Sequence, residues 1–304
     1  MSTPQPERDE VVRVDFEVNP AATLGELRHG RGDPTLRYEG AVVWRALRTA
    51  DGPATTRLAP ASDGWRVSAW GPGADAAVAA VPGLLGAADD PSALELPPGR
   101  LRDMAARSRG MRFGRTDEVW ASLIPAICGQ KVTSAQAHRA YFGIIGRWGE
   151  DAPGPGGLRL PPPADVVAAL AYYQLHPVGL EQRRAITLIR AAERAAWLEE
   201  AVALPRPAAL ARLRAMPGVG VWTAAEVARG ALGDPDAVSI GDFHVPHLVS
   251  WALAGEPRGD DARMLELLEP YRGQRARVVR IIERSGVRPP RYGPRMSPQR
   301  IERL

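Results

Sequence analysis

The chain has 304 residues and a net charge of +4, and this length is enough for one large domain or two ordinary ones. Its single cysteine, Cys128, excludes a disulfide framework, a four-cysteine iron–sulfur cluster and a thiolate zinc site. The apolar runs are too short to span a membrane, and the polar N-terminus MSTPQPERDE lacks a secretion signal. We therefore expect a cytoplasmic protein without a membrane partner.

Residues 10–90 have the pattern of a small α+β domain. Three stretches, VVRVDFEV, LRYEGAVVWRALRT and GWRVSAW, are rich in β-forming residues and are separated by Gly, Pro and Asp. Residues 22–28 and 74–81 have helical spacing instead. Together these stretches predict an antiparallel sheet with accompanying helices.

Residues 91–288 are predicted to be helical, because no strand pattern of comparable strength follows residue 100. The predicted helices span residues 101–107, 117–126, 134–146, 164–172, 181–199, 208–215, 222–232, 245–254, 261–268 and 273–285. A Pro/Arg-rich tail follows at 289–304. The fold class is thus mainly α, preceded by the small α+β domain with its antiparallel sheet. Residues 258–304 hold 12 arginines and six acidic residues, which suits either a polyanion or a solvated helical face.

The stretch MPGVGVWTA, residues 216–224, has two glycines around one valine and precedes a helical pattern. A dinucleotide fingerprint needs a buried strand before the glycines and a third glycine after them, and both are missing. A phosphate-binding loop of nucleotide hydrolases would need a Gly-Lys-Ser/Thr sequence, which is also missing. The remaining possibilities are a plain helical hairpin and a helix-hairpin-helix that binds a DNA phosphate. In the second case, Gly218 and Gly220 would permit positive φ angles, and backbone N–H groups of the turn would bind the phosphate.

A second motif, SIGDFHVPHL, places Asp242 directly before a predicted helix, where an aspartate often serves only as a cap. In combination with the glycine turn, however, the motif resembles the helix-hairpin-helix-GPD superfamily of DNA glycosylases, and most of all bacterial 3-methyladenine DNA glycosylase II enzymes. The stretches DEVWASLIPAICGQKVTSAQAHRAY and HPVGLEQRRAITLIRAA are similar to further segments of that family. The resemblance extends over about residues 10–288.

The resemblance implies a monofunctional base-excision repair enzyme that flips out an alkylated purine such as 3-methyladenine and hydrolyses its N-glycosidic bond. Asp242 would be the catalytic carboxylate, and Trp222, Phe243, Tyr172 and Tyr271 would line the base pocket. The hairpin would bind DNA, and its predicted contact residues are Gly218, Val219, Gly220, Val221 and Thr223. Arg280 takes the place of a pocket aromatic, which leaves the exact lesion open.

Bifunctional members of this superfamily carry a lysine directly before the Thr-Ala pair of the hairpin, and this lysine forms a Schiff base with the sugar. Trp222 stands in that place here, and Lys131 is the only lysine of the chain. The resemblance therefore implies hydrolysis without strand cleavage. Gln130 and Lys131 align with the segment that fills the gap left by the flipped nucleotide, so we expect both at the DNA, together with His244.

The implied partner is double-stranded DNA containing a damaged base, bound by a monomer in the bacterial nucleoid. The resemblance implies no cofactor and no catalytic metal, with at most a structural monovalent cation at the hairpin. His244 and His247 could hold a metal by spacing alone, but no Cys or further His is near and the chemistry does not require a metal. Two alternatives stay open: a glycosylase for a deaminated, bulky or crosslinked base, and a DNA-damage-binding module without catalysis.

Overall fold

The computed structural model of the chain describes residues 4–290 and residue 301. Near the N-terminus, five antiparallel strands form one sheet in the order β1-β5-β4-β3-β2. The strands are β1 (Arg8–Val12), β2 (Leu36–Glu39), β3 (Val42–Thr49), β4 (Gly52–Ala61) and β5 (Gly64–Trp70). The predicted antiparallel sheet is confirmed.

The two faces of this sheet are both covered. Leu58 of β4 pairs with Val43 and Val67 on its neighbours, and this apolar row packs against two short helices, α2 (Ala74–Ala79) and α3 (Val81–Leu84). On the opposite face Trp44 and Trp70 stack with their ring centroids 5.5 Å apart. A two-residue ladder, β6 (Glu150–Asp151) and β7 (Arg159–Leu160), covers these rings.

The rest of the described chain is helical, as predicted. After the short α1 (Pro20–Thr23), the remaining helices are α4 (Arg100–Ala106), α5 (Val119–Cys128), α6 (Ser134–Trp148), α7 (Ala164–Ala168), α8 (Gln182–Glu193), α9 (Ala195–Glu199), α10 (Arg206–Arg214), α11 (Val221–Leu232), α12 (Val245–Ala254), α13 (Asp261–Leu268) and α14 (Arg275–Ser285). One core joins α5, α6, α8, α10 and α11, and a second joins α4, α12, α13 and α14. The region between α11 and α12 therefore lies where the two helical cores meet.

A pair of local hydrogen bonds explains where α6 begins. The Thr133 hydroxyl accepts from the Gln136 N–H, while the Gln136 side chain accepts from the Thr133 N–H, and this reciprocal pair starts α6. Buried Ala140, Tyr141 and Ile144 then mark one face of the helix, which packs on the larger core.

Some predicted boundaries are wrong. The helix expected at 164–172 ends at Ala168, and a separate 3-10 turn, Tyr172–Val178, follows because the Gln174 side chain accepts from the Ala171 N–H. The helix expected at 181–199 breaks at Arg194, whose N–H bonds three residues back rather than four. The first predicted helix, 22–28, is α1 followed by a 3-10 turn. The β6–β7 ladder was also not predicted.

The connector between the sheet and the helices is tied to the C-terminal helix. Asp89 and Arg277 are both buried and form an ion pair, and Arg277 also donates to the Met111 carbonyl at 3.2 Å. The other Asp89 oxygen accepts from the Phe113 N–H at 2.8 Å.

Within the described chain, no helix combines the length and apolar character needed to cross a membrane. The predicted tail lies outside the described residues, apart from residues 289, 290 and 301.

Candidate functional site

The hairpin predicted from MPGVGVWTA connects α10 to α11. Its turn is closed by the Val219 N–H, which donates to the Met216 carbonyl at 3.0 Å. Gly218 has a φ of +93°, and a Cβ atom at this position would lie 2.4 Å from Oγ1 of Thr187 on α8, so only glycine fits. Gly220 has a φ of −84° and no atom within 4 Å of the place of a Cβ. Gly218 therefore uses the positive φ that glycine permits, whereas Gly220 has an ordinary negative φ.

The first turn of α11 provides donors for an anion. The first N–H groups of a helix have no partner within the helix, and Gly220 supplies no capping side chain here. Val221, the first residue, is exposed. These N–H groups and the positive end of the helix dipole together form a site that suits a phosphate.

The turn between α5 and α6 contacts the hairpin through Gln130. Its Nε2 amide donates to the Gly218 carbonyl and to the Thr223 hydroxyl, both at 2.9 Å. Lys131 is exposed and has a φ of +54°, a conformation that costs a residue with a side chain about 1–2 kcal/mol. Gln130 thus contacts the hairpin, and Lys131 follows it in the same turn.

Asp242 lies in the turn before α12, and both of its carboxylate oxygens accept hydrogen bonds. Oδ1 accepts from the backbone N–H groups of His244 at 2.7 Å and Val245 at 2.9 Å, so this oxygen caps the helix. Oδ2 accepts from the indole Nε1–H of Trp222 at 3.2 Å. The carboxylate is therefore more than a cap, because its second oxygen joins the turn to the first turn of α11.

Trp222 is held between the carboxylate and the end of α5. A Cβ atom on Gly129 would lie 3.1 Å from Cη2 of the Trp222 ring, so a side chain at position 129 would crowd the indole. The ring is half-buried, as is Asp242. Two residues that are far apart in the chain thus form one polar group beside the hairpin.

Phe243 is the most exposed large apolar side chain next to Asp242, with 72% of its surface accessible. Its ring has edge contacts with His244 and His247, at centroid distances of 5.0 and 6.0 Å. Nδ1 of His247 accepts from the Gly259 N–H at 3.2 Å, so that nitrogen holds the loop before α13.

Among residues 4–290, no group of three or more His, Cys, Asp or Glu side chains is arranged to hold a metal ion.

Two other predicted pocket residues, Tyr172 and Tyr271, lie on other elements of the helical region. Tyr172 is 43% exposed and has an edge contact with Tyr173, at a centroid distance of 5.9 Å, in the turn before α8. Tyr271 is half-buried and packs on the second helical core just before α14. Arg280, which takes the place of a pocket aromatic in the resemblance, is paired with Glu26 at 2.5 Å and with Glu283 at 3.3 Å.

Cys128, at the end of α5, is the only thiol of the chain and is fully buried. Burial raises the pKa of this thiol to about 12, so it stays protonated at neutral pH. A buried, protonated thiol is a poor nucleophile.

The sequence did not reveal a polar cluster behind the Asp242 turn. Ser239 contacts Glu226 and Arg229 of α11, and the side chain of Asp261 accepts from the Gly241 N–H at 3.0 Å with each oxygen. The Glu-Arg spacing on α11 is visible in the sequence, but it is typical of any exposed helix face. Only the three-dimensional arrangement shows that these residues meet.

No protein-family model and no curated protein sequence matches the chain. Its fold, however, is similar to solved structures. A 3-methyladenine DNA glycosylase from Archaeoglobus fulgidus has 20% identity and a TM-score of 0.73 over 90% of this chain and 97% of that one. MBOgg1 in complex with a low-affinity DNA ligand has 15% identity and a TM-score of 0.72 over 94% and 98%.

An 8-oxoguanine glycosylase/lyase from Clostridium acetobutylicum has 12% identity and a TM-score of 0.70 over 94% of this chain and 100% of that one. At such identities a likeness shows the fold alone. The chain thus has the fold of helix-hairpin-helix DNA glycosylases, the superfamily that its hairpin resembles.

Proposed function

We propose that this chain is a monofunctional DNA glycosylase that removes an alkylated purine such as 3-methyladenine from duplex DNA. The observation that carries the proposal is the hydrogen bond between the Trp222 indole and Asp242, placed beside a glycine hairpin with free N–H donors. The fold likeness supports the same class of protein.

The hairpin would hold one DNA phosphate. Its donors are the backbone N–H groups at the start of α11, from Val221 to Thr223, together with the N–H of Gly218 in the turn, whereas the Val219 N–H already donates to the Met216 carbonyl. Lys131, exposed in the adjacent turn next to Gln130, would add a positive charge. Such contacts do not depend on sequence, which suits an enzyme that must search undamaged DNA.

The chemistry assigned to Asp242 is hydrolysis of an N-glycosidic bond. The bond between C1′ of the sugar and the base nitrogen breaks, and the electron pair leaves with the purine. The carboxylate stabilises the positive charge that develops on the sugar and orients the attacking water. The water oxygen then bonds to C1′, and its proton passes to Asp242 and on to solvent. Oδ2 is the oxygen available to this sugar, since it has one side-chain donor whereas Oδ1 has two backbone donors.

The base would be bound by aromatic rings. A methylated purine carries positive charge, and the indole face of Trp222 attracts cations. Phe243 is exposed next to the carboxylate and supplies a second ring. Tyr172 and Tyr271 remain proposed pocket residues, and His244 remains a proposed DNA contact.

The absence of lyase activity is part of the proposal. Strand cleavage by this superfamily requires a lysine where Trp222 stands, and the one lysine of the chain, Lys131, lies on the exposed turn next to Gln130. We therefore expect an intact strand with an abasic site as the product.

Three further expectations belong to the proposal: the protein acts as a monomer, works in the bacterial cytoplasm at the nucleoid, and needs no cofactor. A structural monovalent cation at the hairpin would be held by main-chain carbonyl oxygens. The carbonyls of Met216 and Gly218 each accept one hydrogen bond, and each keeps a lone pair that could face an ion.

The test is a panel of DNA substrates incubated with the purified chain. Methylated DNA, and duplexes with deaminated, oxidised or crosslinked bases, are analysed for released base, and borohydride is added to trap any Schiff base. We expect release of methylated purines and no trapped complex. Release of a different base would correct the assigned lesion. Binding of damaged DNA without release of any base would instead identify a non-catalytic binding module.

A further inference from the structure

The turn that carries Asp242 is held by hydrogen bonds of a buried serine, Ser239. Ser239 is 4% exposed, and its carbonyl accepts from the Asp242 N–H at 3.2 Å. Its hydroxyl donates to Oε1 of Glu226 at 2.6 Å and accepts from a guanidinium nitrogen of Arg229. The serine therefore links the backbone of the Asp242 turn to two charged side chains.

Glu226 and Arg229 belong to α11, the helix that begins with the hairpin. They form an ion pair one turn apart, with 2.9 Å between Nη2 and Oε1. The same helix carries Trp222 in its first turn, and Trp222 donates to the Asp242 side chain. The Asp242 turn is thus attached to α11 at two points. The Asp242 side chain contacts Trp222, and the Ser239 side chain contacts Glu226 and Arg229.

One further carboxylate, that of Glu26, approaches this charged pair and is itself paired with Arg280. Glu26, in the 3-10 turn after α1, lies 3.8 Å from Nε of Arg229 and 2.5 Å from Nε of Arg280 on α14. The side chains of Glu26, Arg229 and Arg280 are each 18–19% exposed. Hydrogen bonds and ion pairs in such poorly hydrated surroundings are stronger than on the surface, and they restrict the groups they join.

We propose that Ser239 is a positioning residue for the reaction of Asp242, with Glu226 and Arg229 as its partners. This inference rests on the proposed function. A catalytic carboxylate must be held within roughly 0.5 Å of its working position. A displacement of about 1 Å can lower a rate by roughly a hundredfold. The serine bridge limits the position of the Asp242 backbone without touching DNA, so its loss should affect the rate of base release and leave binding unchanged.

The test compares two buried serines. Ser239→Ala removes the bridge, whereas Ser250→Ala changes a serine on α12 whose hydroxyl has no hydrogen-bond partner among the described residues. The measurements are the single-turnover rate of base release, the Kd for duplex DNA with an abasic site, the Tm, and hydrogen exchange of the Asp242 amide. We expect Ser239→Ala to lower the rate by about tenfold or more. Its Kd should stay within about twofold of the wild-type value, and its Asp242 amide should exchange faster. Ser250→Ala should match the wild type.

A second pair of variants keeps the test decisive if Ser239→Ala folds poorly. Glu226→Gln keeps an oxygen that accepts from the Ser239 hydroxyl, whereas Glu226→Ala removes it. We expect Glu226→Gln to retain most of the rate that Glu226→Ala loses, at similar Kd. Equal rates for Ser239→Ala and Ser250→Ala would overturn the inference, as would parallel losses of Tm and rate in both Glu226 variants. If the wild type released no base, the proposed function would be overturned as well. This outcome is distinguishable from a failure of the Ser239 proposal alone, because that failure is observed only when the wild type is active.

Discussion

Trp222 and Asp242 are 20 residues apart in the chain and share a hydrogen bond. Sequence reasoning identified both residues, because each lies in a short motif with recognisable chemistry. It did not predict their contact, since the approach of an indole to a carboxylate depends on how α11 and the turn before α12 are placed by two separate cores. For the same reason Ser239 was missed, although it lies three residues before Asp242.

Trp222→Phe tests the contribution of the indole N–H. The variant keeps an aromatic ring and removes the donor to Oδ2 of Asp242. A hydrogen bond to a charged group contributes about 1.5–3 kcal/mol, so we expect the rate of base release to fall by roughly tenfold or more at similar Kd for DNA. Trp148→Phe, at the far end of α6, serves as the control. A wild-type rate for Trp222→Phe would show that the bond does not serve the chemistry.

At the scale of elements, the helix-turn-helix arrangement around PGVG was predictable, because glycine, proline and apolar spacing are local signals. The different roles of its two glycines were not. Gly218 is required by its φ of +93° and by Thr187 on another helix, while Gly220 has an ordinary backbone and open space. Sequence spacing contains no information about Thr187, which is far away in the chain.

Gly218→Ala and Gly220→Ala form a matched pair for this difference. We expect Gly218→Ala to lower the free energy of unfolding by about 1–3 kcal/mol, because the new methyl would meet Thr187 in a strained backbone. DNA affinity should fall with it. Gly220→Ala should leave stability unchanged and weaken only DNA binding, since a methyl would stand at the proposed phosphate site. Urea unfolding and fluorescence anisotropy measure the two effects. Equal stability of the two variants would show that Gly218 is not required for the fold of the hairpin.

The contact between α5 and the sheet includes a buried glutamate, Glu118, whose contribution to stability is expected to depend on pH. Glu118 precedes α5 and is ion-paired with Arg45 of β3; burial raises its pKa from 4.5 to about 7, with Arg45 opposing the rise. Its ionised form is therefore disfavoured in the folded chain, and its contribution to stability is greatest below about pH 4.5 and is lost as the pH rises through 7.

Glu118→Gln removes this titration. Between pH 5 and pH 8 the wild type should lose roughly 2 kcal/mol of unfolding free energy that the variant does not lose. Urea unfolding at both pH values measures this difference. Glu150→Gln, an exposed glutamate paired with Arg48, should keep the wild-type pH dependence. Identical pH dependence of Glu118→Gln and the wild type would exclude a raised pKa.

At the scale of the whole molecule, sequence patterns were sufficient for the fold class, a small antiparallel sheet followed by helices. They did not show how the parts are joined. Asp89, between the sheet and the first helix of the helical region, forms a buried ion pair with Arg277 of α14. A pair of residues this distant in the chain leaves no periodic signal.

Asp89→Ala tests the importance of this junction. Removing one partner leaves the Arg277 guanidinium buried without its carboxylate, so we expect a loss of about 3–5 kcal/mol in the free energy of unfolding. Asp90→Ala, at the exposed neighbouring residue, should cost about 1 kcal/mol or less, because it removes only a local turn bond. Similar losses for the two variants would show that the buried pair does not stabilise the molecule.

In the proposed function, Asp242 hydrolyses the N-glycosidic bond of a damaged base while the hairpin binds the DNA. Asp242→Asn separates the two, because the amide keeps the shape of the side chain and an oxygen for the start of α12 but removes the negative charge. The decisive measurement is single-turnover base release from methylated DNA by the wild type and this variant, with Kd measured on the same duplex. We predict release by the wild type, no detectable release by Asp242→Asn, and Kd values within about threefold, since the phosphate contacts are unchanged. Base release by the variant at the wild-type rate would contradict the account.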